Sequence, residues 1–359
     1  MRHPGRVARV RDRLSAAGLQ GLLVTKPANV RYLSGFTAEE AYLLIVLDHA
    51  WIVSDFRYAL QIQEEVPGFE FLQVRQMMAD LAPALKEIGL QTLAFEPGHL
   101  TVRQHGELSR SLPALRLVGL PDAVENLRVV KDDEELALIR KAAGLADAAM
   151  DHLCNSVSAG KSEKELALDA EFFIRREGAD DVAFEVIVAS GPRAALPHAA
   201  PSDRRIEPGD LVIMDLGACW QGYRSDLTRT VAAGKASETA KMLYSTCCEA
   251  QKAGLAAVRA GAVCAEVDAA ARKVVEQAGH GECFGHGLGH GVGLEIHEAP
   301  RLSPTETGKV LEAGMVLTVE PAIYLAGVGG VRIEDLVVVG DGGCELLTRS
   351  SKPAELPEV

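Results

Sequence analysis

Three histidines lie in one glycine-rich segment of the chain, residues 285–298, which has the sequence GHGLGHGVGLEIHE. Imidazole is a common metal ligand and acid–base group, so His286, His290 and His297 are the first candidates for chemistry. Histidines four residues apart could instead share one face of a helix. The five glycines at alternate positions argue against a helix, because each costs about 1 kcal/mol relative to alanine there. We therefore predict an extended segment whose backbone approaches another group closely, with His286 and His290 on the same side.

Four acidic residues form two pairs, each arranged symmetrically about a turn. Asp215 and Asp226, in DLGACWQGYRSDLTRT, flank a turn near residues 220–221. Glu320 and Glu334, in EPAIYLAGVGGVRIED, flank a glycine-rich turn in the same way. If both segments form hairpins, the two acids of each pair are neighbours across the ladder, about 5 Å apart.

Such a group of acids on otherwise apolar strands needs a compensating charge. Like charges at this separation repel, and burial raises the pKa of each carboxyl steeply. A pair of divalent metal ions supplies the charge, and oxygen-rich ligation with one imidazole favours Mn²⁺, Co²⁺ or Fe²⁺, with Zn²⁺ a further possibility. His290 is then the nitrogen ligand, since the glycines around it let its strand pass close to the metals. The alternative is that the acids are solvated residues of edge strands.

A sequence repeat predicts that the two acidic pairs meet. Residues 159–178 (AGKSEKELALDAEFFIRREG) and 260–279 (AGAVCAEVDAAARKVVEQAG) both begin with Ala-Gly, have a helical apolar pattern and end in glycine. The first also has a capping box, formed by Ser162 and Glu165. Each is followed by a matched strand, EPGDLVIMD or EAGMVLTVE, in which an acid comes six residues after glycine. Two related halves place these acids equivalently about a pseudo-twofold axis; a chance match in an alanine-rich chain is the alternative.

Length and composition indicate a two-domain globular protein of 359 residues, 48% hydrophobic and 24% charged. Strand and helix signals alternate in residues 1–125, which predicts a small α/β domain, and residues 126–359 form the second domain. The net charge of −13 argues against a nucleic-acid partner. No apolar run approaches the roughly 18 residues that cross a bilayer, so we expect no membrane association and a cytoplasmic location. The seven cysteines contain no CxxC pair, which indicates neither a disulfide framework nor a thiolate zinc site.

The motifs resemble those of the pita-bread metallopeptidases. IMDLGA, SDLTRT, GHGLGHGVGLEIHE, TVEPAIY and GVRIED match that family in order. The family includes methionine aminopeptidases, Xaa-Pro aminopeptidases and Xaa-Pro dipeptidases (prolidases), and the segment LLVTKPANVRYLSGF resembles the proline-directed members. The resemblance implies an α/β (α+β) fold in which a small creatinase-like amino-terminal domain precedes a pseudo-twofold pita-bread catalytic domain. It also implies a homodimer.

The resemblance further implies the role of each site residue. Two metal ions share a water whose pKa they lower, and the resulting hydroxide attacks the scissile carbonyl. Glu320 moves the proton to the leaving nitrogen, while His198 and His297 hydrogen-bond the substrate carbonyl and the developing oxyanion. The metal ligands implied are Asp215, Asp226, His290, Glu320 and Glu334. The substrate-side residues implied are His198, His286, His297, Arg301 and Arg332.

Arg301 bears on the length of the substrate. It resembles the prolidase position that holds the terminal carboxylate of a dipeptide, a role suited to the two parallel donors of arginine. A solvated loop arginine is the alternative. We predict a dinuclear-metal exopeptidase that hydrolyses the Xaa-Pro bond of a peptide with proline after the scissile bond, as a dipeptidase. An Xaa-Pro aminopeptidase acting on longer peptides is the alternative.

Two other classes share this fold. Metal-free creatinase-like C–N hydrolases and non-catalytic peptide-binding modules have both lost metal ligands, whereas none of the five is missing here. The intact ligand set therefore favours the peptidase.

Overall fold

The chain folds into two compact units, described here by a computed structural model for residues 3–359. The first unit ends at Arg128, and the second is Val129–Val359. Within residues 3–359, no helix has both the length and the apolar composition needed to cross a membrane.

The observed boundary lies beyond the predicted one, residue 125, because a short polar helix belongs to the first unit. This helix is Glu125–Arg128. Arg128 donates from Nη1 to Oδ1 of Asn29 (2.7 Å), and Tyr32 donates its hydroxyl to the Leu127 carbonyl (2.8 Å). Its sequence, ENLR, has no apolar periodicity that could have placed it on either side.

The first unit is an α/β domain with one six-stranded sheet. Its elements are α1 (His3–Ala16), β1 (Gly21–Val24), α2 (Pro27–Ser34), β2 (Tyr42–Val46), β3 (Ala50–Ser54), α3 (Ala59–Glu65), β4 (Glu70–Gln73), α4 (Met77–Ile88), β5 (Thr92–Phe95), α5 (Val102–Ser111), β6 (Arg116–Gly119) and α6 (Glu125–Arg128). The strand order is β4-β3-β2-β1-β5-β6. Strand β2 is antiparallel to β1 and β3, and the other neighbours are parallel. Leu23, Leu44 and Leu93 are among the side chains that fill its core.

The second unit consists of four helices around several short antiparallel sheets. Its elements are α7 (Asp133–Ser156), α8 (Glu163–Arg176), β7 (Asp181–Val182), β8 (Ile187–Ser190), β9 (Leu211–Leu216), β10 (Ala218–Trp220), β11 (Tyr223–Arg224), β12 (Leu227–Ala232), α9 (Glu238–Ala257), α10 (Cys264–Gln277), β13 (Gly289–Gly291), β14 (Glu298–Leu302), β15 (Val316–Val319), β16 (Ala322–Leu325), β17 (Gly329–Arg332), β18 (Asp335–Val339) and β19 (Cys344–Leu346). The sheets have the orders β11-β10-β7, β12-β9-β8, β14-β13-β15-β18-β19 and β16-β17.

The predicted repeat is present in the second unit. Helices α8 and α10 are both 14 residues long, and each follows a longer helix, α7 or α9. The glycines that follow them, Gly178 and Gly279, both have positive φ (100° and 81°), the left-handed conformation that ends a helix. The capping box of Ser162 and Glu165 forms as predicted, whereas α10 starts after Val263 without a side-chain cap. Two similar halves therefore present strands β9 and β15 in corresponding places.

Candidate metal centre

The first acidic hairpin forms, but its register differs from the predicted one. Strands β9 and β12 pair so that Thr228, rather than Asp226, lies opposite Asp215. The tight turn is at Gln221 and Gly222, one residue later than predicted, and both residues have the positive φ (47° and 80°) that such a turn requires. The predicted direct pairing of the two aspartates is therefore wrong, and Asp226 lies just before β12 begins.

The second acidic hairpin has the predicted register. Strands β16 and β17 pair Ala322 with Arg332. Glu320 precedes Ala322 by two residues and Glu334 follows Arg332 by two, so the glutamates flank the turn symmetrically. Because the side chains of a strand alternate between faces, both glutamates share one face of the hairpin.

Two of these acids and one histidine form a group that could hold a metal ion. One ligand atom from each of Asp226, His290 and Glu334 lies within 4.8 Å of the other two. His290 Nε2 is also 3.4 Å from Glu320 Oε1 and 3.6 Å from Asp226 Oδ2. Its other ring nitrogen, Nδ1, lies 3.1 Å from the Gly291 carbonyl, to which a protonated Nδ1 donates. That tautomer leaves the Nε2 lone pair facing the carboxylates, as a metal ligand requires.

Asp215 joins this group with one oxygen that lacks a partner. Its Oδ2 accepts from Nη2 of Arg332 at 2.5 Å. Its Oδ1 is buried and accepts no hydrogen bond from any residue that the structure describes. A buried carboxylate oxygen without a partner costs free energy, and a bound cation removes that cost. The donor set therefore fits a divalent metal ion.

The electrostatics of the site lead to the same conclusion. Burial, reinforced by the neighbouring carboxylates, raises the pKa of Asp226 and Glu334 well above the ordinary range. Burial also raises the pKa of Glu320 and lowers that of His290. The pKa values of these carboxyl groups are raised because the carboxylates are crowded into a buried site that lacks a compensating positive charge. A divalent cation reverses these carboxyl shifts and stabilises the ionised form.

Two threonines orient the acids and were missed in the sequence. Thr228 donates its hydroxyl to Glu334 Oε2 at 2.6 Å. Thr318 donates to Glu320 Oε1 at 3.2 Å and accepts from the His290 backbone N–H at 3.0 Å. A usable signal was present, since Thr228 follows Asp226 by two residues and Thr318 precedes Glu320 by two, a spacing that puts both side chains on one face of an extended chain.

The five substrate-side residues predicted from the sequence line one cleft of about 880 Å³, together with the acids and the imidazole of the metal centre. His297 packs its ring against that of His290, with ring centroids 4.3 Å apart. Burial lowers the pKa of His286 and of His297, which favours neutral imidazoles near pH 7. Arg301 and His198 are exposed at the cleft, while Arg332 is only 4% exposed.

Tyr324 is a cleft residue that the sequence analysis did not assign to the site, although it ends the motif TVEPAIY. Its hydroxyl accepts from Nη1 of Arg332 (2.7 Å) and lies 3.3 Å from Nε2 of His286. Burial raises the pKa of Tyr324 to about 12, so the phenol stays protonated at neutral pH. The guanidinium of Arg332 thus spans Tyr324 and Asp215 and joins the histidine side of the cleft to the acidic side.

The loop that carries His198 is held by one buried carboxylate. Glu163, at the start of α8, accepts from the backbone N–H and the hydroxyl of both Ser190 and Ser202, at 2.6–3.0 Å. Arg193 donates to the same carboxylate (2.9 Å) and to the Ala200 carbonyl (2.6 Å). Both ends of the loop are therefore tied to one point.

A substitution at Gly289 tests whether the segment needs glycine for close approach to another strand. A Cβ at Gly289 would lie 2.0 Å from the Thr318 carbonyl oxygen, whereas a Cβ at Gly285 would meet nothing within 4 Å. We expect Gly289→Ala to lower the free energy of unfolding by at least about 2 kcal/mol, because backbone cannot move aside as a side chain can. Gly285→Ala is the matched control and should change it by less than about 0.5 kcal/mol. Urea unfolding of both variants measures this, and equal effects would contradict the close-approach interpretation.

Comparison with known families gives two matches that together span most of the chain. Residues 137–341 match the family described as metallopeptidase family M24. Residues 6–130 match the creatinase/prolidase N-terminal domain.

Known proteins resemble the chain over nearly its whole length. The solved structure of an Xaa-Pro dipeptidase from Bacillus anthracis is 40% identical, with a TM-score of 0.96 over 99% of this chain and 100% of that one. The structure of an X-Pro aminopeptidase from Thermotoga maritima is 35% identical, with a TM-score of 0.91 over 98% and 99%. An Xaa-Pro dipeptidase of Pyrococcus horikoshii is 35% identical over 350 residues, 97% of each chain. These similarities confirm the predicted fold class, a creatinase-like domain followed by a pita-bread domain.

Proposed function

The chain belongs to metallopeptidase family M24 and is a peptidase, and we propose that it hydrolyses the bond before proline with two divalent metal ions, preferring dipeptides. The observation that carries the metal assignment is the buried group of carboxylates around His290, with its partnerless Asp215 oxygen. The proposed ligands are Asp215, Asp226, His290, Glu320 and Glu334. When bound, the metals supply a water of lowered pKa and polarise the scissile carbonyl.

Glu320 is the residue that we propose moves the proton. Its Oε1 lies 3.4 Å from His290 Nε2, inside the group proposed to hold the metals, so the carboxylate is placed to accept a proton released there and to pass it on. The leaving group is the proline nitrogen, which must be protonated to depart as an amine. Thr318 holds the carboxylate in place for this transfer.

The cleft histidines stabilise the substrate carbonyl in this proposal. His297 lies against the ring of His290, and His198 is on the facing loop tied by Glu163. Their imidazole N–H groups can donate to the carbonyl oxygen as negative charge develops there. The bond before proline lacks an N–H donor, so the site must recognise the ring by shape.

Arg301 supports a preference for dipeptides. It lies opposite His290 in the β13–β14 ladder, so both side chains are on the same face, toward the metal site. Its guanidinium is exposed at the cleft, and it has no ion pair or side-chain hydrogen bond with any residue from 5 to 359. A free, fork-shaped donor near the metals is suited to a substrate carboxylate. Similar proteins are named both dipeptidase and aminopeptidase, so the aminopeptidase is the second candidate.

Arg301→Ala tests the substrate preference. We expect KM for Ala-Pro to rise about tenfold or more, a loss of about 1.4 kcal/mol of binding, with little change for Ala-Pro-Ala, whose carboxylate lies one residue further from the cut. Steady-state kinetics of the Mn²⁺-loaded enzyme on both peptides measures the effect. Arg259→Ala, at an exposed arginine outside the cleft, is the matched control. An unchanged KM for Ala-Pro, or faster cleavage of Ala-Pro-Ala by the unmodified enzyme, would favour the aminopeptidase.

The identity of the metal as manganese, the homodimer and the cytoplasmic location remain predictions from the sequence. Titrating metal-stripped protein with Mn²⁺, Co²⁺, Fe²⁺ and Zn²⁺ ranks the metals by activity, because oxygen-rich sites select by geometry and availability as well as affinity.

A further inference from the structure

Side chains of helix α10 bond the backbone that carries His286. Arg272 donates from Nη1 to the Phe284 carbonyl (2.8 Å) and from Nη2 to the His286 carbonyl (2.7 Å). The backbone N–H of Leu288 donates to Oδ1 of Asp268 (2.9 Å). These three residues alternate along the segment, so in an extended chain their backbone groups point to the same side. Asp268 and Arg272 thus make the hydrogen bonds to this backbone that a neighbouring strand would otherwise make.

Asp268 and Arg272 form a rigid pair. They are four residues apart on α10, and the guanidinium donates to both carboxylate oxygens, from Nε at 2.8 Å and from Nη2 at 2.9 Å. Asp268 is 1% exposed, and the guanidinium carbon lies 4.2 Å from the centroid of the Phe284 ring. The planar fork of arginine makes these bonds simultaneously, which a lysine ammonium cannot do.

The backbone at His286 depends on this external support. The ring has partners of its own, since Nδ1 lies 2.7 Å from the Gly287 carbonyl and the Phe284 ring packs edge-on against it, with centroids 5.2 Å apart. Gly285 and Gly287 flank it and have no side chains to pack, and at Gly285 a Cβ would meet nothing within 4 Å. The ring of His286 faces Tyr324 at the cleft, while the carbonyl of the same residue is bound by Arg272. Holding the carbonyl therefore fixes the backbone from which the ring projects, while the Gly287 carbonyl and the Tyr324 hydroxyl orient the ring itself.

We propose that Arg272, held by Asp268, is a positioning residue that fixes His286 toward the substrate. The proposal rests on the proposed function, which places His286 on the substrate side of the cleft. Arg272 is not among the residues that line the cleft, so it acts through the backbone that carries the histidine. The metal ligands are held separately, since the His290 N–H is bonded by Thr318.

A double-mutant cycle between Arg272 and His286 tests the proposal. We expect Arg272→Lys to lower kcat/KM for Ala-Pro about tenfold in the unmodified enzyme, and less than about twofold in a His286→Ala background. The Mn²⁺ affinity of Arg272→Lys and of His286→Ala, measured by calorimetry, should change less than about twofold. The reason is that the proposed metal ligands keep the hydrogen bonds that hold them. Equal losses in the two backgrounds, or a weakened Mn²⁺ affinity, would overturn the proposal.

Controls distinguish a loss of positioning from a folding defect and from a failure of the proposed function. Arg140→Lys alters a bidentate pair with Glu345 on the surface of α7 and should leave kcat/KM unchanged. Asp268→Asn, which keeps the shape of the acid, replaces Arg272→Lys in the cycle if that variant does not fold. If the unmodified enzyme cleaves no Xaa-Pro peptide, the proposed function fails, and the cycle is run on the best substrate from a panel of other di- and tripeptides.

Discussion

Asp226→Asn should reduce kcat on an Xaa-Pro dipeptide by at least about 10³-fold, equivalent to about 4 kcal/mol of transition-state stabilisation. The reason is that Asp226 is a member of the buried group formed with His290 and Glu334. An amide keeps the shape of the side chain but loses the negative charge that holds a metal ion. We expect this variant to retain fewer metal ions than the unmodified protein, measured by elemental analysis after dialysis.

The stability of the metal-free variant separates this explanation from misfolding. Asp226 is 5% exposed, and its pKa is raised by burial and by Glu334 and Asp215. Removing its charge relieves both the desolvation cost and the repulsion, so the metal-free variant should be at least as stable as the metal-free unmodified protein near pH 7.5. Asp341→Asn, at an exposed acid, is the control and should keep its activity and metal. A metal-loaded but inactive Asp226→Asn protein would contradict its assignment as a ligand.

The metal-free protein should lose stability as the pH rises from about 4 toward neutrality, and divalent metal should restore it. Burial raises the folded-state pKa of Asp226 and Glu334 above their unfolded values near 4. The folded state therefore binds more protons than the unfolded state. The stability contributed by these acids is fully present below the unfolded pKa and is lost as the pH rises through the folded pKa.

Urea unfolding at pH 5 and pH 7.5, with and without Mn²⁺, measures this effect. At pH 7.5, metal at 100 times its Kd should add about 2.7 kcal/mol, and the gain should shrink at pH 5, where protonated carboxyls compete with the metal. Other groups also titrate, so the informative quantity is the difference in stability between the unmodified and Asp226→Asn proteins, both metal-free. A difference that does not change with pH would show that Asp226 titrates normally.

Much of the site could be predicted from the amino-acid sequence, because metal chemistry restricts residue types. Two local patterns predicted the candidate metal-binding residues. One is the glycine-rich segment around His290, and the other is the equal spacing from glycine to acid in two strands. The repeat was equally visible, since helices α8 and α10 share their length and their terminal glycines. The register of the hairpin of Glu320 and Glu334 was predicted correctly because the turn is centred on Gly327, midway between the two acids.

The register of the first hairpin could not be predicted in the same way. Gln221 adopts positive φ there beside Gly222, a conformation that is rare for residues other than glycine. The symmetric placement of the two aspartates about residues 220–221 therefore gave the wrong partner for Asp215, because the turn lies one residue later. Asp226 still faces the metal group, because it lies two residues before Thr228, the partner of Asp215, and a shift of two residues keeps a side chain on the same face.

The sequence by itself determined which residue types meet and which reaction class they serve, since ligand chemistry and repeat spacing are carried by short segments of the chain. Only the tertiary structure decided how these residues are held. Glu163 and Arg272 have no distinctive local pattern, and Tyr324 ends the motif TVEPAIY without any sign of its partners. The roles of all three arise from contacts with residues far from them or on other elements. A buried polar group must find a partner wherever the fold brings one, so such partners become visible only when the chain is folded.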